Sequence, residues 1–262
     1  MHMLPETARF LDRADAGRQL AALLRGLAGE HPLVMALPRG GVAVGFEVAR
    51  ELRAPLDVIV ARKLGAPMQP ELGIGAIAPG GIRVLDALAI RYLGITQDQI
   101  DRVIRAEEAE MERRVRLYRG DRPPPRIEGR TVILVDDGLA TGVTARAAAR
   151  SLRLQRPGRL VLAVPVCAPE TAESIRMEVD EVVCIYMPSD FRAVGLWYED
   201  FRQLEDSEVV DLLERARSFA APEPAPVWAG PTQKGRPPCT PHSNPQDTPS
   251  ESPPAGSSST GT

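Results

Sequence analysis

An α/β fold with a mostly parallel sheet flanked by helices is predicted for this chain by two features. Short, continuous apolar runs, as expected of strands buried on both faces, alternate with segments whose apolar residues recur at helical spacing. Several of the runs end in small, polar or charged loops, where open parallel sheets bind ligands. The amount of apolar material agrees, since hydrophobic residues make up 44% of the 262, enough for a packed core.

Taken in order, Leu33–Leu37 reads as a buried strand that stops at Pro38-Arg39-Gly40-Gly41. Val42 to Leu52 follows with Val42, Phe46, Ala49 and Leu52 on one helical face. Leu56–Ala61 is a second strand. Gly65 to Gly81 is rich in Gly and Pro, with Ile74–Ile77 as a short strand within it. Thr96 is a good N-cap for a long exposed helix, Gln97 to Arg119, whose Glu110/Arg114 and Glu112/Arg116 pairs are four apart in the favoured order. Pro123-Pro124-Pro125 ends it. Thr131–Val135 is a strand, Thr144–Leu154 a helix, Leu160–Val166 a strand, Pro169–Glu178 a helix and Glu181–Met187 a strand.

Eleven of the 25 prolines fall between Pro222 and Pro254. A stretch so rich in Pro, Ser, Thr and Gly cannot bury enough apolar area to offset its ordering entropy. The expected organisation is therefore a folded domain over 4–220 and a disordered tail over 221–262. Lys and Arg total 32 against 35 Asp and Glu, so a nucleic-acid partner is not expected. Cys167, Cys184 and Cys239 form neither a disulfide framework nor a zinc pattern. The first residues lack a signal-peptide core, and the longest apolar run, Leu160–Ala168, is too short to span a bilayer. The chain reads as cytoplasmic, with no membrane partner.

The segment from Thr131 to Thr144 carries the chemistry. Its strand ends at Asp136 and Asp137, and a small-residue loop then opens a helix. Two carboxylates at a strand tip can accept hydrogen bonds from a vicinal diol or hold a hydrated Mg²⁺. Ala140-Thr141-Gly142-Val143-Thr144 offers a helix N-terminus, where backbone N–H groups and the dipole favour a phosphate. The same letters also suit a plain Asp-Asp-Gly turn with Thr144 as an N-cap.

Val132 to Thr144 resembles the motif with which type I phosphoribosyltransferases bind 5-phosphoribosyl 1-pyrophosphate (PRPP): four apolar residues, two acids, a short variable stretch, then Thr-Gly-x-Thr. The resemblance implies that family's α/β sheet with a small C-terminal hood. It also implies that Asp136 and Asp137 meet the ribose hydroxyls and that Ala140 to Thr144 wrap the 5-phosphate. Leu37-Pro38-Arg39-Gly40-Gly41 stands where the family has its pyrophosphate loop, often with a non-proline cis peptide. Arg62-Lys63-Leu64-Gly65 resembles the start of the flexible catalytic loop of adenine and orotate enzymes. Arg39, Gly40, Gly41, Arg62 and Lys63 are thus the implied pyrophosphate contacts. Mg²⁺ is the implied cofactor, with Asp136, Asp137 and Asp200 as candidate ligands.

In its Leu-Pro-Arg-Gly-Gly turn and its Phe191–Phe201 stretch, the chain is similar to small bacterial phosphoribosyltransferases of undefined acceptor. The implied reaction moves 5-phosphoribosyl from PRPP to a nitrogen nucleophile, a nucleobase being expected, and releases pyrophosphate. Relatives are commonly homodimers. Five of the 11 aromatics lie between Tyr186 and Phe201. Pro188 to Gly195 loosely resembles the loop of six-oxopurine enzymes in which an aromatic residue stacks on the base, which implies Phe191 as the candidate to stack on the acceptor, with Glu199 or Asp200 near the metal or pyrophosphate. Trp197, Tyr198 and Phe201 are the simpler choice for a cap packed on the sheet. Ala140 stands where six-oxopurine enzymes carry an Asp, which leaves Glu71 as a speculative proton acceptor.

Two other classes are weighed. A PRPP- or nucleotide-sensing regulator on the same fold would bind without catalysis. A dinucleotide enzyme has one hook, since Gly73 to Ala78 spells G-x-G-x-x-A. Pro79-Gly80-Gly81 follows it, however, and no helix can start there.

Overall fold

In the computed structural model, residues 9–219 are described; the expected tail lies outside them. Five parallel strands form the main sheet: β1 (Leu33–Ala36), β2 (Leu56–Val58), β6 (Thr131–Val135), β7 (Arg159–Val166) and β8 (Glu181–Tyr186). Their spatial order is β2-β1-β6-β7-β8. Register runs Val34 to Leu56 across β1/β2, Val34 to Ile133 across β1/β6 and Ile133 to Val161 across β6/β7.

Side chains alternate between the two faces, and each face has its own core. Val34, Ala36, Ile133, Val135, Val161 and Ala163 pack under α1 (Arg13–Leu24), α2 (Gly40–Leu52) and α7 (Asp206–Ala216). Leu33, Met35, Val132, Leu134, Leu160 and Leu162 pack under α5 (Val143–Arg153) and α6 (Pro169–Ile175). This is the two-sided burial that continuous apolar strands require. The strand predicted over Leu56–Ala61 ends at Val58, and the helix predicted over Pro169–Glu178 ends at Ile175.

The Gly- and Pro-rich stretch, in which Ile74–Ile77 was expected as a short strand, belongs to a second sheet. β3 (Arg62–Ala66), β4 (Gln69–Ala78) and β5 (Ile82–Leu85) form an antiparallel meander in the order β3-β4-β5. Its glycines disguise it. A Cβ on Gly75 would lie 2.2 Å from the Val84 carbonyl, so close strand packing demands glycine there. The G-x-G-x-x-A spelling lies inside β4, with no strand–turn–helix around it. The meander has α4 (Gln97–Arg119) on one face, through Leu64, Ile74, Ile77, Ile100 and Ile104. On the other face Ala76, Ala78 and Val84 meet Ala147 of α5.

Thr96 caps α4 in a full capping box with Gln99, as its Thr-x-x-Gln spelling invites. The short helix α3 (Ala87–Tyr92) links β5 to α4. Among the described residues, no helix is long and apolar enough to cross a membrane.

A small hood closes one end of the main sheet. Phe10, Ala16 and Tyr198 form its buried centre, with Tyr186, Val194, Trp197 and Phe201 packed around them. The strand-like segment at Phe10 bonds to this hood: the Phe10 N–H donates to the Trp197 carbonyl at 2.9 Å, and the Glu199 N–H donates to the Phe10 carbonyl at 2.8 Å. Trp197, Tyr198 and Phe201 thus pack as a cap.

Candidate functional site

Asp136 and Asp137 follow β6 at the C-terminal edge of the main sheet. The Asp137 N–H donates to Asp136 Oδ1 at 2.9 Å. The Asp136 carboxyl is held well above its ordinary range, first by desolvation and then by the charge of Asp137, while Lys63 pulls the other way. The pair therefore sits where a second full negative charge is unfavourable without a cation or hydrogen-bond donors.

The loop then turns through Gly138 and Gly142. Gly142 has φ +64 and is the N-cap of α5, which therefore starts one residue before the predicted Thr144. No side chain caps this helix. Its N-terminal N–H groups can therefore meet an anion, and the Ala140 and Thr141 side of the loop is exposed. Thr171 of α6 supports the loop from beneath: its hydroxyl donates to the Ala140 carbonyl. A Cβ on Gly142 would sit 2.5 Å from the Thr171 Cγ2, so glycine answers both the backbone angle and the contact.

The Pro-Arg-Gly-Gly turn follows β1, the neighbour of β6. Its Pro38–Arg39 peptide is cis, matching the form expected from the resemblance. The Leu37 N–H donates to the Val135 carbonyl at 2.9 Å, which ties the turn to the acidic strand. A Cβ on Gly40 would overlap the Asp137 carboxylate at 1.8 Å, and one on Gly41 would lie 2.9 Å from the Asp136 Cα. Backbone approach this close explains both glycines. The Arg39 guanidinium reaches Asp206 at the start of α7, 3.9 Å away. Asp206 in turn accepts a hydrogen bond of 2.5 Å from the Tyr118 hydroxyl.

The other expected cations part company. Lys63 is exposed on β3 and pairs with Ala76 on the α5 side of the meander. Arg62 points to α4 and binds Glu107 at 2.6 Å. Both lie in a strand where a flexible loop was expected, as does Glu71, an exposed residue of β4.

Phe191 is half-buried in the segment between β8 and the hood's 3₁₀ turn at Val194–Trp197. Asp200 is exposed, and its Oδ1 accepts from the Arg202 N–H at 3.0 Å, inside its own turn. Among the described residues no group of three or more His, Cys, Asp or Glu could hold a metal, so Asp200 does not join the acidic pair. Two adjacent carboxylates alone suit a Mg²⁺ carried in by phosphate oxygens better than a resident ion. Cavities of about 440 and 510 Å³ lie beside α1, α2 and α7 and beneath α4 and α5; neither includes the acidic pair.

Arg13 was not expected at the site. It lies 124 positions from Asp137, and its Nε donates to Asp137 Oδ2 at 2.7 Å. Tyr198 adds a second long-range tie, its hydroxyl donating to the Asp137 carbonyl at 2.6 Å. Burial pushes the Tyr198 phenol well up, so it stays a donor. The sequence offers no periodic or motif signal for either contact.

A family model described as "Phosphoribosyl transferase domain" matches residues 8–200. Two curated proteins from Mycobacterium tuberculosis, strains CDC 1551 / Oshkosh and ATCC 25618 / H37Rv, each carry the name "Putative phosphoribosyl transferase". Each is 47% identical over 212 residues, covering 80% of this chain. The chain spans about half, 48%, of the length of these relatives. The crystal structure of TT1426 from Thermus thermophilus is 42% identical, covers 81% of this chain and all (100%) of its own, and superposes with a TM-score of 0.67.

Proposed function

The chain belongs to the phosphoribosyl transferase family, and from that premise we propose that it transfers the 5-phosphoribosyl group of PRPP to a nitrogen nucleophile and releases pyrophosphate. The observation that carries the reading is the convergence at one sheet edge of an acidic pair, an uncapped helix N-terminus and a Gly-Gly turn packed against the pair. A diol, a 5-phosphate and a pyrophosphate are the three groups such a set would recognise.

In this reading Asp136 and Asp137 hold the ribose hydroxyls. Gly142, Val143 and Thr144 hold the 5-phosphate with backbone N–H groups, and the Thr141 and Thr144 hydroxyls add donors. The bond from the anomeric carbon to pyrophosphate breaks, and its electron pair leaves with pyrophosphate. The ribose becomes oxocarbenium-like, as in glycoside cleavage. A nitrogen lone pair then closes the new bond, and the nitrogen's proton passes to water or to the departing pyrophosphate.

The protein's part is to hold the ring and stabilise the leaving charge. Lys63 is the cation best placed for the second task, with Arg39 behind the Gly-Gly turn. Mg²⁺, when bound with the substrate, neutralises further pyrophosphate charge. Phe191 is the candidate contact for a flat nucleobase acceptor. The test is to mix protein, Mg²⁺ and PRPP with a panel of bases and other nitrogen nucleophiles and to follow pyrophosphate. Release with one acceptor supports the reading. PRPP binding without release for any acceptor would replace it with a PRPP-sensing regulator.

A further inference from the structure

We infer that Arg13 is a positioning residue for the ribose site: it fixes the place of Asp137 and joins that carboxylate to the hood. The inference rests on the reading of Asp137 as a ribose ligand.

Local helix energetics give no reason for an arginine here. Arg13 opens α1, and Asp12 caps that helix by accepting from the Asp15 N–H at 2.7 Å. A cation in the first turn faces the positive end of the helix dipole, an unfavourable place. What Arg13 gains lies far away in sequence. Its Nε donates to Asp137 Oδ2 at 2.7 Å, and its Nη1 donates to the Arg202 carbonyl at 2.7 Å. Its Cζ lies 4.0 Å from the centre of the Phe201 ring. One guanidinium thus touches the acidic pair, the hood backbone and a hood aromatic.

The contact is closely confined. The two side chains are only 11% and 16% exposed. Asp137 Oδ2 is held between Arg13 and the Gly-Gly turn, because a Cβ on Gly40 would sit 1.8 Å from Oδ2 and 2.8 Å from Arg13 Nε. The Asp137 carboxylate therefore has little freedom to swing. Arg13 is also the counter-charge that Asp137 meets next to the neighbouring Asp136 carboxylate. The Arg13 contact therefore keeps the Asp137 carboxylate aimed. A lysine could not replace it, since a single ammonium lacks the planar fork that serves two acceptors while stacking on a ring.

The test compares ligands with and without the diol. Wild type, R13Q and R13K are titrated calorimetrically with ribose 5-phosphate and, separately, with inorganic phosphate. For R13Q, ribose 5-phosphate affinity should fall about 10-fold or more, with inorganic phosphate within about 2-fold of wild type. R13K should resemble R13Q. A second variant, F201L, keeps the ion pair but loses the ring under the guanidinium; it should weaken ribose 5-phosphate by roughly 3-fold and leave phosphate unchanged. If R13Q does not fold, F201L and R13K decide.

Equal loss of both ligands in these variants would mark Arg13 as structural only and overturn the inference. Unchanged ribose 5-phosphate binding would also overturn it while leaving the ribose reading intact. Failure of the wild type to bind ribose 5-phosphate would instead remove the reading of Asp137, and the inference with it.

Discussion

The Arg62 guanidinium is bound to the Glu107 carboxylate, at 2.7 Å through Nε and 2.6 Å through Nη2. The neighbouring Lys63 projects from the opposite face of the same strand. Two adjacent cations that read as one phosphate contact are therefore split by the two-residue period of β-structure. K63A should lower kcat/KM for PRPP by about 10-fold or more, whereas R62A should lower it less than about 3-fold. E107Q should shift stability by no more than about 1 kcal/mol, since the pair is only part-buried. Steady-state kinetics and thermal melts check all three. A larger loss in R62A than in K63A would show that the meander re-aims when substrate binds.

Gly40 shapes the surroundings of Asp137 through the side chain it lacks. In G40A the new methyl would overlap Asp137 Oδ2, which the structure puts 1.8 Å from that Cβ position. The carboxylate or the turn must move. Ribose 5-phosphate affinity should fall by about 10-fold or more while the fold persists, because the misplacement is local. Calorimetric titration with a melting curve separates the two effects.

Thr171 supports the Ala140–Thr144 loop through its hydroxyl and its methyl. T171V removes the donor to the Ala140 carbonyl, a cost of about 1–2 kcal/mol for a buried contact. It should also raise KM for PRPP with kcat little changed. T171S restores the hydroxyl and should recover most of the binding. If T171V binds PRPP like wild type, the loop holds its shape without this bond.

Tyr118 carries a pH signature. Burial, with the hydrogen bond to Asp206 second, pushes its phenol up from 10.0 to about 12. A group whose folded pKa is raised contributes stability fully below the unfolded value and loses it as pH rises. The advantage of wild type over Y118F should therefore be constant below pH 10.0 and shrink between pH 10.0 and about 12. Thermal melts of the two proteins from about pH 7 to about pH 11 test this. A constant difference across the range would mean that folding does not raise the pKa of the phenol.

Several parts of the site were legible because their cause is local. The strand Thr131–Val135 ends in two acids because apolar side chains must stop where the sheet edge meets water. Gly142 follows because a left-handed turn at φ +64 needs it. The cap at Thr96 reads directly from Thr-x-x-Gln. The meander was hidden for an equally physical reason. Gly73 and Gly75 dilute the alternation by which β4 would be read, and close packing against β5 is what demands Gly75. The helices α1, α3 and α7 were not anticipated. α3 buries no residue at all and gives little apolar signal.

By itself, then, the sequence determined the alternating α/β plan, the acidic pair at a strand end, the phosphate-type loop and the Gly-Gly turn. Each depends on residues within a few positions of one another, where spacing carries the information. Tertiary structure alone decided which groups meet across the chain. It brought Arg13 to Asp137 and Thr171 to Ala140, set Tyr118 behind Asp206 and Arg39, and turned Arg62 to Glu107 and away from Lys63. The contacts of Arg13 and Thr171 arise because parallel strands distant in sequence end at one edge, and those of Arg62 and Tyr118 because α4 packs against both the meander and α7.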